Sequence, residues 1–282
     1  MQIAFWRYTL KPRRRLSGVA RDGVREGALL RVGDGYADVH PWPELGDAPL
    51  DEQLARLSRG ELTPLTRAAL HHAQIDGEAR RRGISLFAGL TIPESHWPGP
   101  DPPPGFDTVK LKSIDVIPND VRLRIDFNAR LTPDEFVRIA QKLPRERIDF
   151  IEDPCPYDAK VWRDLEHRTN LRLALDRSIA PPTAPAPSVI IHKPALSATF
   201  PQTTAEVVVT SYMDHPLGQF TAAYIAATNN VSPRCGLFTH TLYDPDQFIE
   251  TIHSTAARLH PPPGTGIGFD DLLAKVRWSP LN

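Results

Sequence analysis

The chain is poor in sulfur. Among its 282 residues are two methionines and two cysteines, Cys155 and Cys235, so no disulfide framework is available and a reducing, cytoplasmic setting is expected. The cysteines are expected as small buried apolar residues. No apolar run approaches the roughly 18 residues that a membrane span requires, and Met1 to Trp6 has neither the apolar core nor the cleavage site of a secretion signal. A surplus of charge is also missing. Lys and Arg number 33 against 34 Asp and Glu, a net charge of −1, which lacks the basic excess of a nucleic-acid binder. The ten histidines show no metal-ligand spacing. What the chain has in excess is proline, 29 residues, about twice the usual ~5%. It sits in short runs between apolar segments, as rigid connectors of a folded chain.

The first 90 or so residues read as a small α+β unit. Ile3 to Leu10 is a strand, followed by the basic loop Lys11 to Arg15, and Glu26–Val32 with Gly35–His40 form a hairpin about Gly33-Asp34-Gly35. A helix from Asp51 to Arg59 stops at Gly60, and a second begins at Thr63-Pro64 and ends near Gly83. Beyond Ile84 short apolar strands recur: Leu90–Ile92, Thr108–Lys112, Val121–Asn128, Ile148–Glu152, Leu171–Asp176, Val189–Lys193, Val207–Ser211 and Gly236–Thr239. Helices are predicted after Thr132, where Thr132-Pro133-Asp134-Glu135 is a capping box, from about Asp158 to Thr169, and from Pro216 to Thr228. Eight strands alternating with helices predict an α/β fold of the (β/α)8-barrel type. Only 14 residues separate Lys112 from Asp126, and Pro98–Gly105 and Pro181–Pro187 are proline-rich where helices would fall. Several outer helices are therefore expected to be shortened or missing. The expected division is a capping domain over 1–90, to which 265–282 returns, and a catalytic barrel over 91–264.

Side chains alternate along a strand, and barrel active sites lie at the C-terminal strand ends. That places Lys110 and Lys112 inside on one strand, Arg124, Asp126 and Asn128 on the next, then Glu152, Asp176 and Lys193, with His192 facing outward. The carboxylates are 26 residues (Asp126 to Glu152) and 24 residues (Glu152 to Asp176) apart, one barrel unit each. Three convergent carboxylates need a cation, and all-oxygen donors favour Mg2+, with Mn2+ as the alternative. A lysine titrating near its ordinary ~10.4 is a poor base at neutral pH. A neighbouring ammonium and a divalent cation would both depress Lys112, equipping it to remove a proton next to a carboxylate.

Lys-x-Lys, Asp-x-Asn, Glu-Asp-Pro, Asp and Lys-Pro on successive strands resemble the enolase superfamily in its muconate-lactonizing subgroup, and within it the o-succinylbenzoate synthases of menaquinone biosynthesis. The resemblance implies dehydration of 2-succinyl-6-hydroxy-2,4-cyclohexadiene-1-carboxylate to 2-succinylbenzoate. It implies that Lys112 is the acid/base, Lys193 stabilises the enolate across the ring, and Asp126, Glu152 and Asp176 bind Mg2+, with Lys110, Asn128 and Arg124 in support. Arg124 would order the carboxylates; its other reading is a structural ion-pair partner. Ser211 and the backbone at Gly236-Leu237 would hold the succinyl end. Gly35 to Pro41 would face the substrate, and Arg13-Arg14-Arg15 lies where the family has its lid. Where the family carries Asp-Glu, this chain has Asp176-Arg177. Racemisation of N-acylamino acids or epimerisation of dipeptides is the rival reaction on the same residues, and a non-catalytic binding barrel the rival of another class. The expected partner is a small-molecule carboxylate, with no nucleic acid or membrane, and the expected state is a monomer. Gly264-Thr265-Gly266-Ile267-Gly268 resembles a phosphate loop only superficially, lacking the preceding strand and following lysine.

Overall fold

The computed structural model describes residues 2–14, 16, 23–176 and 187–282. Strands β1 (Ile3–Leu10), β2 (Arg25–Val32) and β3 (Gly35–Val39) form an antiparallel meander. Ser279–Pro280 adds to its β1 edge, with Ala4 opposite Pro280 and the Leu281 N–H donating to the Ile3 carbonyl at 2.9 Å. Helices α1 (Leu50–Ser58) and α2 (Pro64–Arg81) follow. Thr63 caps α2, accepting from the Thr66 N–H at 3.2 Å. The α2 helix packs so closely on β3 that a Cβ on Gly35 would lie 1.8 Å from the Ala73 carbonyl oxygen.

The second sheet is parallel and contains β4 (Trp97–Pro98), β5 (Thr108–Leu111), β6 (Arg122–Asp126), β7 (Ile148–Glu152), β8 (Leu173–Asp176), β9 (Val189–His192) and β10 (Glu206–Val209), hydrogen-bonded in chain order. Cys235-Gly236 takes the eighth position. It bridges Ser95 on one side and Thr210 on the other, both in parallel sense, and closes the ring. Two expected strands are thereby corrected. Leu90–Ile92 is irregular chain; its apolar residues are there for burial, Ile92 being in the core, and the first barrel strand lies further on at Trp97–Pro98. Gly236–Thr239 contributes bridges only at its start and then turns into a 3-10 helix at Thr239–Leu242.

Among the described residues the barrel's outer helices are α3 (Pro133–Ala140), α4 (Ala159–Thr169) and α5 (Pro216–Thr228), and none lies between β4 and β5, β5 and β6, or β9 and β10. The fold is thus a parallel α/β barrel with a pared outer layer beside an antiparallel N-terminal sheet. The capping box before α3 forms, with the Thr132 N–H donating to Glu135 Oε2 at 2.8 Å and the Glu135 N–H to Thr132 Oγ1 at 3.3 Å. Asp158 caps α4 by accepting from the Lys160 and Val161 N–H groups, each at 2.9 Å.

Alternation divides each strand between two environments. Val109, Leu111, Leu123 and Ile125 face α3 and α4, packing with Phe136, Trp162 and Leu165. Their neighbours point into the barrel. On the other side α5 joins a core shared with the N-terminal sheet, where Leu217 and Phe220 pack with Leu10, Leu29 and Leu30. Among the described residues no helix is long and apolar enough to cross a membrane.

Candidate active site

The parallel register sets the carboxylates side by side: Asp126 is the Cα partner of Glu152, and Asp176 ends the next strand. Lys110 Nζ reaches both Glu152 oxygens at 2.6 Å and Asp126 Oδ2 at 3.4 Å. Lys112, one residue past β5, holds its Nζ 3.8 Å from Asp126 Oδ2. Lys193, just past β9, pairs with Asp176 Oδ2 and lies 5.8 Å from the centre of the Tyr212 ring. Lys110, Lys112, Asp126, Asp176 and Lys193 open into one cavity of about 1030 Å³, the upper end of the roughly 300–1,000 Å³ of small-molecule sites.

The electrostatics separate the two lysines of β5. Burial works against the charge of Lys110, but Glu152, Asp126 and Asp176 outweigh it and hold the ammonium above the ordinary lysine range. Lys112 is held below that range, first by burial and then by the Lys110 and Lys193 ammonium groups, with Asp126 opposing. Burial pushes the Glu152 carboxyl up to about 7, Lys110 opposing and Asp126 and Asp176 adding to the rise. Asp126 suffers the same burial, yet Lys110 and Lys112 bring it below the ordinary carboxylate range.

Asn128 turns its side chain back toward the site at a left-handed φ of 51°. Its N–H donates to Asp126 Oδ1 at 2.9 Å, and its Nδ2 is buried without a partner. Arg124 is buried in the barrel, but its guanidinium serves other residues than the carboxylate trio. Nε donates to Asp149 Oδ2 at 2.8 Å, and Nη1 lies 2.9 Å from His96 Nδ1 and 2.6 Å from the Arg234 carbonyl oxygen. Its reading as a structural ion-pair partner is the one its contacts match.

Ser211 lines the cavity, with Oγ 2.6 Å from Thr239 Oγ1. Gly236 lines it too, and a Cβ there would meet Thr210 Cγ2 at 2.7 Å. Leu237 is fully buried and off the cavity wall, and its N–H already donates to Ser95 Oγ at 3.3 Å. Among the described residues the N-terminal unit reaches the cavity through Arg14, Leu16 and Leu45 rather than through Gly35–Pro41, because that segment is β3 and the buried His40, whose Nδ1 lies 3.0 Å from the Tyr8 hydroxyl. Arg14 donates to the Pro98 carbonyl. Arg15 and Arg177 lie outside the described residues.

Asp153 was not singled out by the alternation of inward and outward residues. A straight continuation of β7 would turn it away from Glu152's side. Its left-handed φ of 41° reverses the chain there, and it lines the cavity. Burial, then Asp176 and Glu152, push its carboxyl up to about 9.

Among the described residues no three His, Cys, Asp or Glu side chains stand in the arrangement of a ready metal site; the Lys110 and Lys193 ammonium groups sit against the carboxylates instead. The donor chemistry nonetheless suits Mg2+. All three groups offer hard oxygens, and Asp176 Oδ1 is buried with no hydrogen-bond partner.

Residues 3–79 match the family model described as O-succinylbenzoate synthase, N-terminal domain, and residues 105–184 that described as Enolase C-terminal domain-like. A curated relative, the o-succinylbenzoate synthase of Bdellovibrio bacteriovorus, is 32% identical across 100% of this chain and 99% of its own length. The chain belongs to the o-succinylbenzoate synthase family. That family lies within the enolase superfamily, whose sites generally use a Lys or His base with Mg2+, and its assignment makes the chain an enzyme, a carbon–oxygen lyase of the hydro-lyase type. That assignment runs against the rival reading of a non-catalytic binding barrel. Solved structures share the fold at lower identity. A dipeptide epimerase from Cytophaga hutchinsonii, complexed with Mg and D-Ala-L-Val, superposes with a TM-score of 0.77 at 14% identity, over 100% of this chain and 99% of that one. The L-Ala-D/L-Glu epimerase from Bacillus subtilis gives 0.74 at 18% identity, over 94% and 97%.

Proposed function

We propose that the enzyme dehydrates 2-succinyl-6-hydroxy-2,4-cyclohexadiene-1-carboxylate to 2-succinylbenzoate, the o-succinylbenzoate-forming reaction of menaquinone biosynthesis. The observation that carries this is the shared cavity: Lys112 and Lys193 enter it from different strands, with carboxylates at the same strand ends. Asp126, Glu152 and Asp176 would hold Mg2+, which when bound supplies a fixed positive charge for the substrate carboxylate.

Lys112, unprotonated at its Nζ, takes the ring proton α to the carboxylate. Its depressed pKa increases the fraction of free amine at working pH. The Lys193 ammonium stabilises the negative charge that develops. The electron pair left by the C–H bond then forms the ring double bond as the C–O bond breaks, and Lys112 returns its proton to the departing hydroxyl on the same face, releasing water. The product gains aromaticity, and the lysine ends as it began. Arg14 at the cavity mouth is available to the second carboxylate of the substrate dianion. Racemisation of N-acylamino acids or epimerisation of dipeptides is the second reading, because two lysines in one cavity could serve opposite faces of a single carbon.

The test is turnover of the cyclohexadiene by the Mg2+-loaded protein, with N-succinylamino acids assayed in parallel. The expected result is dehydration by the wild type and a loss of roughly 10²–10⁴-fold in Lys112→Ala, with an unchanged circular dichroism spectrum. Unchanged turnover in that variant would remove Lys112 from the chemistry; faster turnover of the N-succinylamino acids would transfer the assignment to the racemase reading.

A further inference from the structure

We infer that Asp153 is a positioning residue that sets the spacing of the three carboxylates, and so the enzyme's affinity for its divalent cation. This rests on the Mg2+ assignment above.

Three strand ends are tied together at this one residue. Its N–H donates to the Ala174 carbonyl of β8 at 3.0 Å, and its own carbonyl accepts from the Ala129 N–H, in the turn after β6, at 2.7 Å. Its Oδ1 accepts from the Asp176 N–H at 3.1 Å. Each contact bears on a different carboxylate. Ala129 adjoins Asn128, whose N–H orients Asp126. Glu152 immediately precedes Asp153 in the chain, and the side-chain bond falls on the backbone of Asp176 itself. The two main-chain bonds would survive any substitution that keeps the local fold. The third depends on a side-chain acceptor at that position, and without it the Asp176 N–H loses its bond across to the end of β7, leaving its place beside Glu152 to the β7–β8 and β8–β9 register. Partners of ligating groups commonly control metal affinity by roughly 10–100-fold.

The left-handed backbone suggests the substitutions. Glycine adopts φ near 41° freely and removes the acceptor; asparagine tolerates that conformation and keeps an oxygen in the same place. Mg2+ binding to the full chain is measured by calorimetry, alongside turnover as a function of Mg2+ concentration. Asp153→Gly is expected to raise the Mg2+ Kd about tenfold, with kcat recovering at saturating Mg2+, while Asp153→Asn stays within about twofold of wild type. Wild-type affinity in Asp153→Gly would overturn the inference. A roughly tenfold weakening in Asp153→Asn would overturn it too, and that arm stands even where the glycine variant does not fold. A wild type that binds Mg2+ but leaves the cyclohexadiene unchanged overturns the proposed reaction and leaves this inference to be judged by the two variants.

Discussion

Lys110 holds both carboxylate oxygens of Glu152 at 2.6 Å, in a barrel interior where Glu152 is 1% exposed. This pair couples the enzyme's charge state to pH. Burial raises Glu152 to about 7, Asp214 to about 7 and Asp153 to about 9, all above their unfolded values.

Groups of that kind stabilise most fully below the unfolded carboxylate range, and the contribution is lost as pH rises through the folded values. Buried histidines act in the opposite sense. His40 and His215 are lowered to about 3, and His72 and His192 to about 4, all chiefly by burial. Their contribution is complete above the unfolded value near 6.5 and is lost as pH falls toward 3. Above about pH 7.5 the histidines are neutral in both states, and the raised carboxyl groups dominate, with the raised Cys155 and Cys235 thiols acting in the same sense and the lowered Lys112 opposing. The melting temperature of the metal-free protein is therefore expected to decline from about pH 7.5 to 9, as followed by calorimetric scans; a rise over that interval would contradict the raised carboxyl groups.

Arg124 offers a separation of stability from chemistry. Its guanidinium stacks 4.6 Å from the centre of the Phe150 ring and pairs with Asp149. Removing one partner of a buried pair typically costs about 3–5 kcal/mol. Arg124→Met is expected to lower the denaturation midpoint while KM stays within about threefold of wild type. A large KM effect with unchanged stability would return Arg124 to the substrate site.

Arg14 is an exposed cation at the cavity wall with a carbonyl as its hydrogen-bond partner. Arg14→Gln is expected to raise KM for the dianionic substrate by about tenfold, the worth of one charge-assisted hydrogen bond of roughly 1.5 kcal/mol, and to leave kcat nearly unchanged. Steady-state kinetics that show an unaltered KM would exclude the contact.

The parts of this architecture legible in sequence are those with a local physical cause. Thr132-Pro133-Asp134-Glu135 announces α3 because both capping hydrogen bonds are made within four residues. Charged residues after apolar runs mark Lys110, Asp126, Glu152, Asp176 and Lys193 as inward because strand alternation is a property of the backbone. Positions whose cause is distant, or whose backbone leaves the extended region, are not legible in this way. Trp97–Pro98 has no strand-like length of its own and is drawn into the sheet by β5. Asp153 is passed over by alternation because its φ is positive. The glycines of Gly264–Gly268 read like an anion loop, but Ile267 donates its N–H to Asp76 at 2.6 Å and a Cβ on Gly266 would lie 2.0 Å from the same carboxylate oxygen. Nothing near that loop in sequence names its partner, 191 residues from Ile267 on α2.

The pairing of Ser279–Pro280 with β1 has a consequence for biosynthesis. The β1–β3 sheet acquires its outermost ribbon only after all the barrel strands that lie between the two in sequence have been synthesised. The sheet that precedes the barrel in sequence is thus finished after it, and nascent chains that stop short of Ser279 would expose the backbone edge of β1 to whatever else is extended nearby.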